Sequence, residues 1–104
     1  MDLLDKDILM IDGRKAEETN YFTYKDGALY RNVAAGQILD RRRATRNAGR
    51  FKIYVDSFPN AALPYSNYYI ADTKTGKVYD MEVLHILGGT LNKITEELKT
   101  KGEG

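Results

Sequence analysis

Five arginines, Arg41, Arg42, Arg43, Arg46 and Arg50, fall within ten residues, with Lys52 just beyond and no acid between Asp40 and Asp56. Guanidinium groups stay charged and present a planar fork of donors, so such a block suits recognition of an anionic surface, either nucleic acid or an acidic protein patch. Structural explanations compete. Cations near a helix C-terminus offset the macrodipole by about 0.3–1 kcal/mol each, which accounts for one or two of the five. Pairing with the acidic start of the chain is the other, and exposed pairs contribute about 0–1 kcal/mol each. Residues 1–20 carry three basic and six acidic side chains, a net −3; residues 41–56 carry six basic and one acidic, a net +5; the whole chain is +1.

On a helix, three consecutive residues spread over about 200° of the circumference, so Arg41, Arg42 and Arg43 cannot all face one way. The expected contact surface is Arg43, Arg46, Arg50 and Lys52 with Tyr54, and Arg41 stands beside it. Arg42 falls near the apolar face, where its stem packs and its head reaches water. Tyrosines add to this picture. There are eight, against three phenylalanines and no tryptophan. A tyrosine offers rigid apolar area with a polar tip, at home in a sheet boundary or in an interface. Tyr65 and Tyr68 are the candidates that follow the proline-bearing loop.

Other reactive types give little. His85 is the only histidine, and a helical reading turns it to solvent. Ser57 and Ser66 are the only serines, and no local pattern sets either beside His85. Asp5, Asp7 and Asp12 do not match a calcium loop, which needs oxygen ligands at alternate positions, a glycine at the sixth and a glutamate at the twelfth. With no cysteine and one histidine, zinc sites of the common types are not expected. Thr75-Gly76-Lys77 lacks the earlier glycine of a phosphate-binding loop, and Val78 stands where that loop has serine or threonine. No metal and no cofactor is expected.

The elements that hold these residues are read from periodicity. A chain of 104 residues fits a single domain over 1–104, with 100–104 as a frayed tail. Ile8 to Ile11 reads as a short strand before the Asp12-Gly13 turn. Tyr21 to Asn32 reads as a hairpin about Asp26-Gly27, pairing Lys25 with Ala28 and Tyr24 with Leu29, with Phe22, Tyr24 and Leu29 on the buried face. Asn32 reads as the N-cap of a helix from Val33 to about Asn47, because Ala34, Ala35, Ile38 and Leu39 share a helical face, and Gly49 reads as its terminator.

Phe51 to Val55 alternates, with Phe51, Ile53 and Val55 inward and Lys52 and Tyr54 outward. Asn67–Asp72 and Lys77–Met81 form a hairpin closed by Gly76. A second helix runs from Asp80 to about Lys99, its face made of Leu84, Leu87, Leu91, Ile94 and Leu98; a strand to Leu87 followed by a helix from Thr90 is the alternative, favoured by Gly88-Gly89. The expected fold is α+β: a small antiparallel sheet, two hairpins plus a central strand, with two helices packed on one face.

The leading expectation is a non-enzymatic binding or regulatory protein that docks on a macromolecule through a basic, tyrosine-rich surface, as an accessory protein or inhibitor of a phage or mobile element would. The partner is expected to be protein or nucleoprotein rather than free nucleic acid, given the net charge. Direct DNA or RNA binding through Arg41–Arg50 is the second reading, and an enzyme with a site not visible in sequence is the third. A homodimer through the Leu84–Leu98 stripe is a further expectation. No membrane contact is expected, since the longest apolar run is far below the roughly 20 residues that span a bilayer. The acidic start and the absence of cysteine point to the cytoplasm.

Overall fold

The computed structural model describes residues 7–85 and 90–103. Strands β1 (Ile8–Ile11), β2 (Arg14–Thr19), β3 (Phe22–Lys25), β4 (Ala28–Val33), β5 (Gly36–Asp40), β6 (Arg46–Ala48), β7 (Phe51–Phe58), β8 (Tyr65–Asp72) and β9 (Val78–Leu84) precede one helix, α1 (Thr90–Glu103). Six of them form an antiparallel sheet in the order β1-β2-β9-β8-β7-β6, and β3-β4-β5 form a second sheet. The chain is therefore mostly β, which overturns the expected α+β arrangement of one small sheet and two helices. No helix among the described residues is long and apolar enough to cross a membrane.

Three layers result. Helix α1 packs on one face of the large sheet, where Phe51, Ile53, Tyr68, Ile70, Met81 and Val83 meet Ile94 and Leu98. The small sheet covers the other face, where Phe22, Tyr24 and Leu29 meet Tyr54, Ala71 and Val78. The large sheet is thus buried on both sides. Tyr54, expected to face out, is 4% exposed, because β3–β5 cover the face it points to.

Local chemistry explains the hairpins. Asp12 and Gly13 (φ 52° and 72°) join β1 to β2, and Asp26 and Gly27 (φ 51° and 78°) join β3 to β4. Both central residues of each turn have positive φ, as type I′ turns require. The second turn sets Lys25 opposite Ala28 and Tyr24 opposite Leu29, and Phe22, Tyr24 and Leu29 are buried as expected. Gly76, at φ 82°, closes the β8–β9 connection after Thr73-Lys74-Thr75.

Two expected helices are corrected. Residues 33–47 hold the end of β4, a turn at Ala34-Ala35, β5, an extended crossing over 41–44, and the start of β6. Asn32 caps no helix; its side chain bonds Thr23 and the Asn20 carbonyl. Gly49 (φ 62°) is the first residue of the two-residue β6–β7 turn, not a helix terminator. At the C-terminal end, β9 continues to Leu84, so Asp80 caps no helix, and α1 begins at Thr90. Leu87, Gly88 and Gly89 lie outside the described residues. Ile94 and Leu98 are fully buried under the large sheet, so these members of the leucine stripe serve the core. α1 also takes in Thr100 to Glu103.

Candidate functional site: a basic bay between the sheets

The arginine block divides by partner. Arg42 turns inward between the sheets. Its guanidinium lies 5.6 Å from the ring centres of Phe22 and Tyr54 and 5.8 Å from that of Tyr69. It bonds Asp56, and its Nε lies 3.3 Å from Asp40, an ion-pair contact off the hydrogen-bonding line. The Asp40 carboxylate is nearly buried and also accepts the Arg42 backbone N–H at 3.1 Å. Arg42 is thus a plug that fastens the small sheet to the large one.

Replacing Arg42 with methionine keeps much of the stem but strips Asp40 of its closest cation. A loss of about 1–2 kcal/mol in chemical denaturation is expected. Lysine should recover less than half of it, because its point charge cannot serve two carboxylates and three rings at once.

Arg50 is also engaged. It makes a forked pair with Asp72, Nε to Oδ1 at 2.8 Å and Nη2 to Oδ2 at 2.5 Å, and its head lies 5.5 Å from the Phe51 ring centre. Its expected place on an open contact surface is therefore taken up by a pair inside the fold. The acidic N-terminal segment is not what neutralises the block among the described residues: Asp7 bonds Lys77, and Asp12 pairs with Arg14 at 2.6 Å. The acids that meet arginines of the block are Asp40, Asp56 and Asp72.

What remains is smaller than the expected surface. Arg43, Asn47, Lys52, Tyr24 and Tyr54, with Arg42, Ala44 and Gly27, line an open bay of about 340 Å³ where the β3–β4 turn meets the large sheet. No carboxylate lines it. Arg43 has no acid partner among the described residues, and the Lys52 ammonium donates to Asn47 Oδ1 at 2.9 Å. Burial, then the neighbouring Tyr24, raise the Tyr54 phenol above its ordinary pKa against the pull of Arg42, so its hydroxyl keeps its proton at neutral pH. The bay therefore combines two unneutralised cations with phenol and amide donors. That set suits a carboxylate or phosphate group.

The other expected site residues lie elsewhere. Arg46 donates to Asn92 at 2.8 Å and, with Tyr68, Thr90 and Leu91, lines a second hollow at the start of α1. That hollow is on the helix side of the large sheet, opposite the bay. Arg41 is exposed on the crossing that leads to the bay. Tyr65 stacks on Phe58 at 4.8 Å, far along β8. Tyr24, Tyr54, Tyr68 and Tyr79 are buried, so half of the eight tyrosines are core side chains. The expected surface is split: Arg43, Lys52 and Tyr54 share the bay, Arg46 and Tyr68 share the hollow on the opposite face, and Arg50 and Tyr65 lie apart from both. Sequence reading missed Tyr24 and Gly27, which join the site through the contact of the two sheets, and Asn47, which stands opposite Lys52 across the β6–β7 turn.

One arrangement has no local signal in the sequence. Ser57 and Ser66 are paired across β7 and β8, with their hydroxyls 3.0 Å apart, and Ser66 Oγ lies 2.8 Å from His85 Nε2. The His85 backbone N–H donates to Pro64 O at 2.9 Å. The serine–histidine contact that the sequence left unsuggested is therefore present, made by strand register. No carboxylate bonds the imidazole among the described residues, and Ser66 is 6% exposed. The row reads as a polar tie from β7 through β8 to the residue that follows β9 rather than an activated nucleophile, which also needs an open approach and an oxyanion site. No group of three or more histidine, cysteine, aspartate or glutamate side chains among the described residues is placed to hold a metal ion.

Compared with protein-family models, with curated proteins and with solved structures, the chain matches none.

Proposed function

We propose that this is a non-enzymatic binding or regulatory protein that docks on a macromolecular partner, a protein or nucleoprotein, by seating an anionic group of that partner in the bay. One observation carries the reading: Arg43 and Lys52 converge on a concave surface without an acid, while Arg42 and Arg50 are consumed inside the fold. Electrostatic complementarity of this kind contributes association rate and specificity more than raw affinity. The small count of open cations favours one anionic anchor over a long polyanion track.

The test is a charge reversal. Arg43→Glu with Lys52→Glu should lose, at physiological salt, a partner retained by the wild-type protein in quantitative affinity capture, whereas Arg46→Glu on the opposite face should keep it. An unchanged set of partners in the double variant would refute the reading. Anisotropy titrations with single- and double-stranded DNA and RNA separate the alternative. A nucleic-acid binder would show affinity falling with salt with a slope of about −0.9 per phosphate contact, and a steep slope abolished by the double variant would replace the protein partner with nucleic acid.

A further inference from the structure

Strand β5 is an exposed edge of the small sheet. Its residues Gly36 to Leu39 are all exposed, with Ile38 at 56% and Leu39 at 41%, and Val33 beside them at 39%. Edge strands usually carry a lysine, a proline or a bulge, or lie under a covering element. Two of the other three edges follow that rule, while β1 leaves Ile8 51% and Met10 46% exposed. β6 is three residues long, carries Arg46, and is packed by α1. The outer side of β3 is joined to the β8–β9 turn by the Tyr24 N–H donating to Gly76 O at 3.0 Å. β5 closes the order β3-β4-β5, and no described residue pairs with its outer side.

Which backbone groups face outward follows from the register. Val33 and Gly36 close the two-residue turn, and Arg31 pairs with Ile38. Hydrogen-bonded and non-hydrogen-bonded pairs alternate in an antiparallel ladder. Gly36, Ile38 and Asp40 therefore turn their N–H and C=O toward β4, and Gln37 and Leu39 turn theirs to the open side. The Asn32 N–H donating to Tyr21 O at 2.8 Å agrees, since it places Asn32, the partner of Gln37, in bonding with the β3 side.

We propose that β5 pairs with β5 of a second copy, antiparallel about Ile38, so that the two small sheets become one six-stranded sheet across a two-fold axis. In this register each Gln37 faces a Leu39 of the other copy as a hydrogen-bonded pair. Ile38 faces Ile38 as a non-hydrogen-bonded pair, the closer kind for side chains. Asp40 falls opposite Gly36 and Arg41 opposite Ala35, so no like charges meet. The neighbouring in-phase register, Leu39 on Leu39, would set Ile38 against Asp40, and a one-residue slip would turn the outward groups away from each other. The strand is thus self-complementary in hydrogen bonds, in apolar contact and in charge at a single register, as an isologous interface requires. Each β5 ends beside its own bay, so the pair would present two bays at opposite ends of the joined sheet.

A short edge pairing lies at the small end of interface sizes, below roughly 1,200 Å², so a dissociation constant in the micromolar range is expected. Sedimentation velocity across that range should show the 11.8 kDa chain moving toward twice its mass. Ile38→Lys should weaken the association at least tenfold while leaving circular dichroism and Tm unchanged. The chain has no cysteine, so Ile38→Cys supplies a second readout. Across a non-hydrogen-bonded pair, about 4.5 Å between Cα atoms, it should oxidise to a cross-linked dimer. Val33→Cys, also exposed but off the axis, should not. A wild-type chain that stays monomeric, a dimer indifferent to Ile38→Lys, or cross-linking at Val33 in place of Ile38 would each overturn the proposal.

Discussion

Gly76→Ala is expected to lower stability by about 3 kcal/mol, a fall in Tm on the order of 15 °C for a domain of this size. Two effects add. Gly76 sits at φ 82°, in the left-handed region where a Cβ costs roughly 1–2 kcal/mol. A Cβ there would also lie 2.7 Å from the backbone oxygen of Tyr24. Backbone cannot swing aside as a side chain can, so one of the two sheets must move. That contact is the joint between them, since the Tyr24 N–H donates to Gly76 O at 3.0 Å. Gly13→Ala is the control. Its φ is 72°, yet nothing lies within 4 Å of the added atom, so only the conformational cost remains, about 1 kcal/mol. Equal losses in the two variants, measured by chemical denaturation, would show that the two sheets are not held at this distance.

The contrast between these glycines also marks what a sequence can and cannot reveal here. Asp12-Gly13 and Asp26-Gly27 are local turn chemistry; the hairpin expected about Asp26-Gly27 is present with its expected pairing, and Asp12-Gly13 turns β1 back into β2, a strand the sequence reading did not assign. The alternation from Phe51 to Val55 correctly put Phe51 and Ile53 in the core. It misplaced Tyr54, because in-and-out reasoning assumes that a sheet has one wet face, and the cover supplied by β3–β5 is a non-local fact. Residues 33–47 misled for a different reason. Ala34, Ala35, Ile38 and Leu39 match a helical face, but Ala34 and Ala35 occupy a turn and carry none of the usual turn residues. The glycine that marks the place, Gly36 at φ 137°, stands at the start of β5.

In this fold the arginines share no helix, and they are sorted by whether the tertiary structure brings an acid near. Arg42, on the crossing, meets Asp56, and Arg50 meets Asp72 because the adjacent Phe51 stands opposite Asp72 in the β7–β8 pairing. The bay was legible in its basic residues and Tyr54. Tyr24 and the shape of the bay belong to the contact between sheets.

The same sorting yields the second large effect. Asp72→Ala should cost about 3 kcal/mol, at the low end for breaking a buried pair because Arg50 can turn partly to water. Asp72 is 3% exposed. Its carboxylate holds the Arg50 fork and also accepts the backbone N–H groups of Lys74 at 2.9 Å and Thr75 at 3.4 Å. One side chain therefore ties the β6–β7 turn to the β8–β9 turn and orders the latter. Burial alone would push this carboxyl up, but the Arg50 hydrogen bond and the Lys74 amide, with the Arg50 charge and the Thr75 amide, outweigh it and hold the pKa below the ordinary value.

A depressed folded-state pKa fixes the sign of the pH dependence. The stabilisation is present in full above the unfolded value, about 3.9, and is lost as pH falls through the lower folded value. Comparing wild type with Asp72→Asn across pH isolates it. The gap in unfolding free energy should be constant near neutrality and shrink progressively below about pH 4. A gap that persisted undiminished into strong acid would mean that the shape of the side chain, not its charge, holds the two turns together.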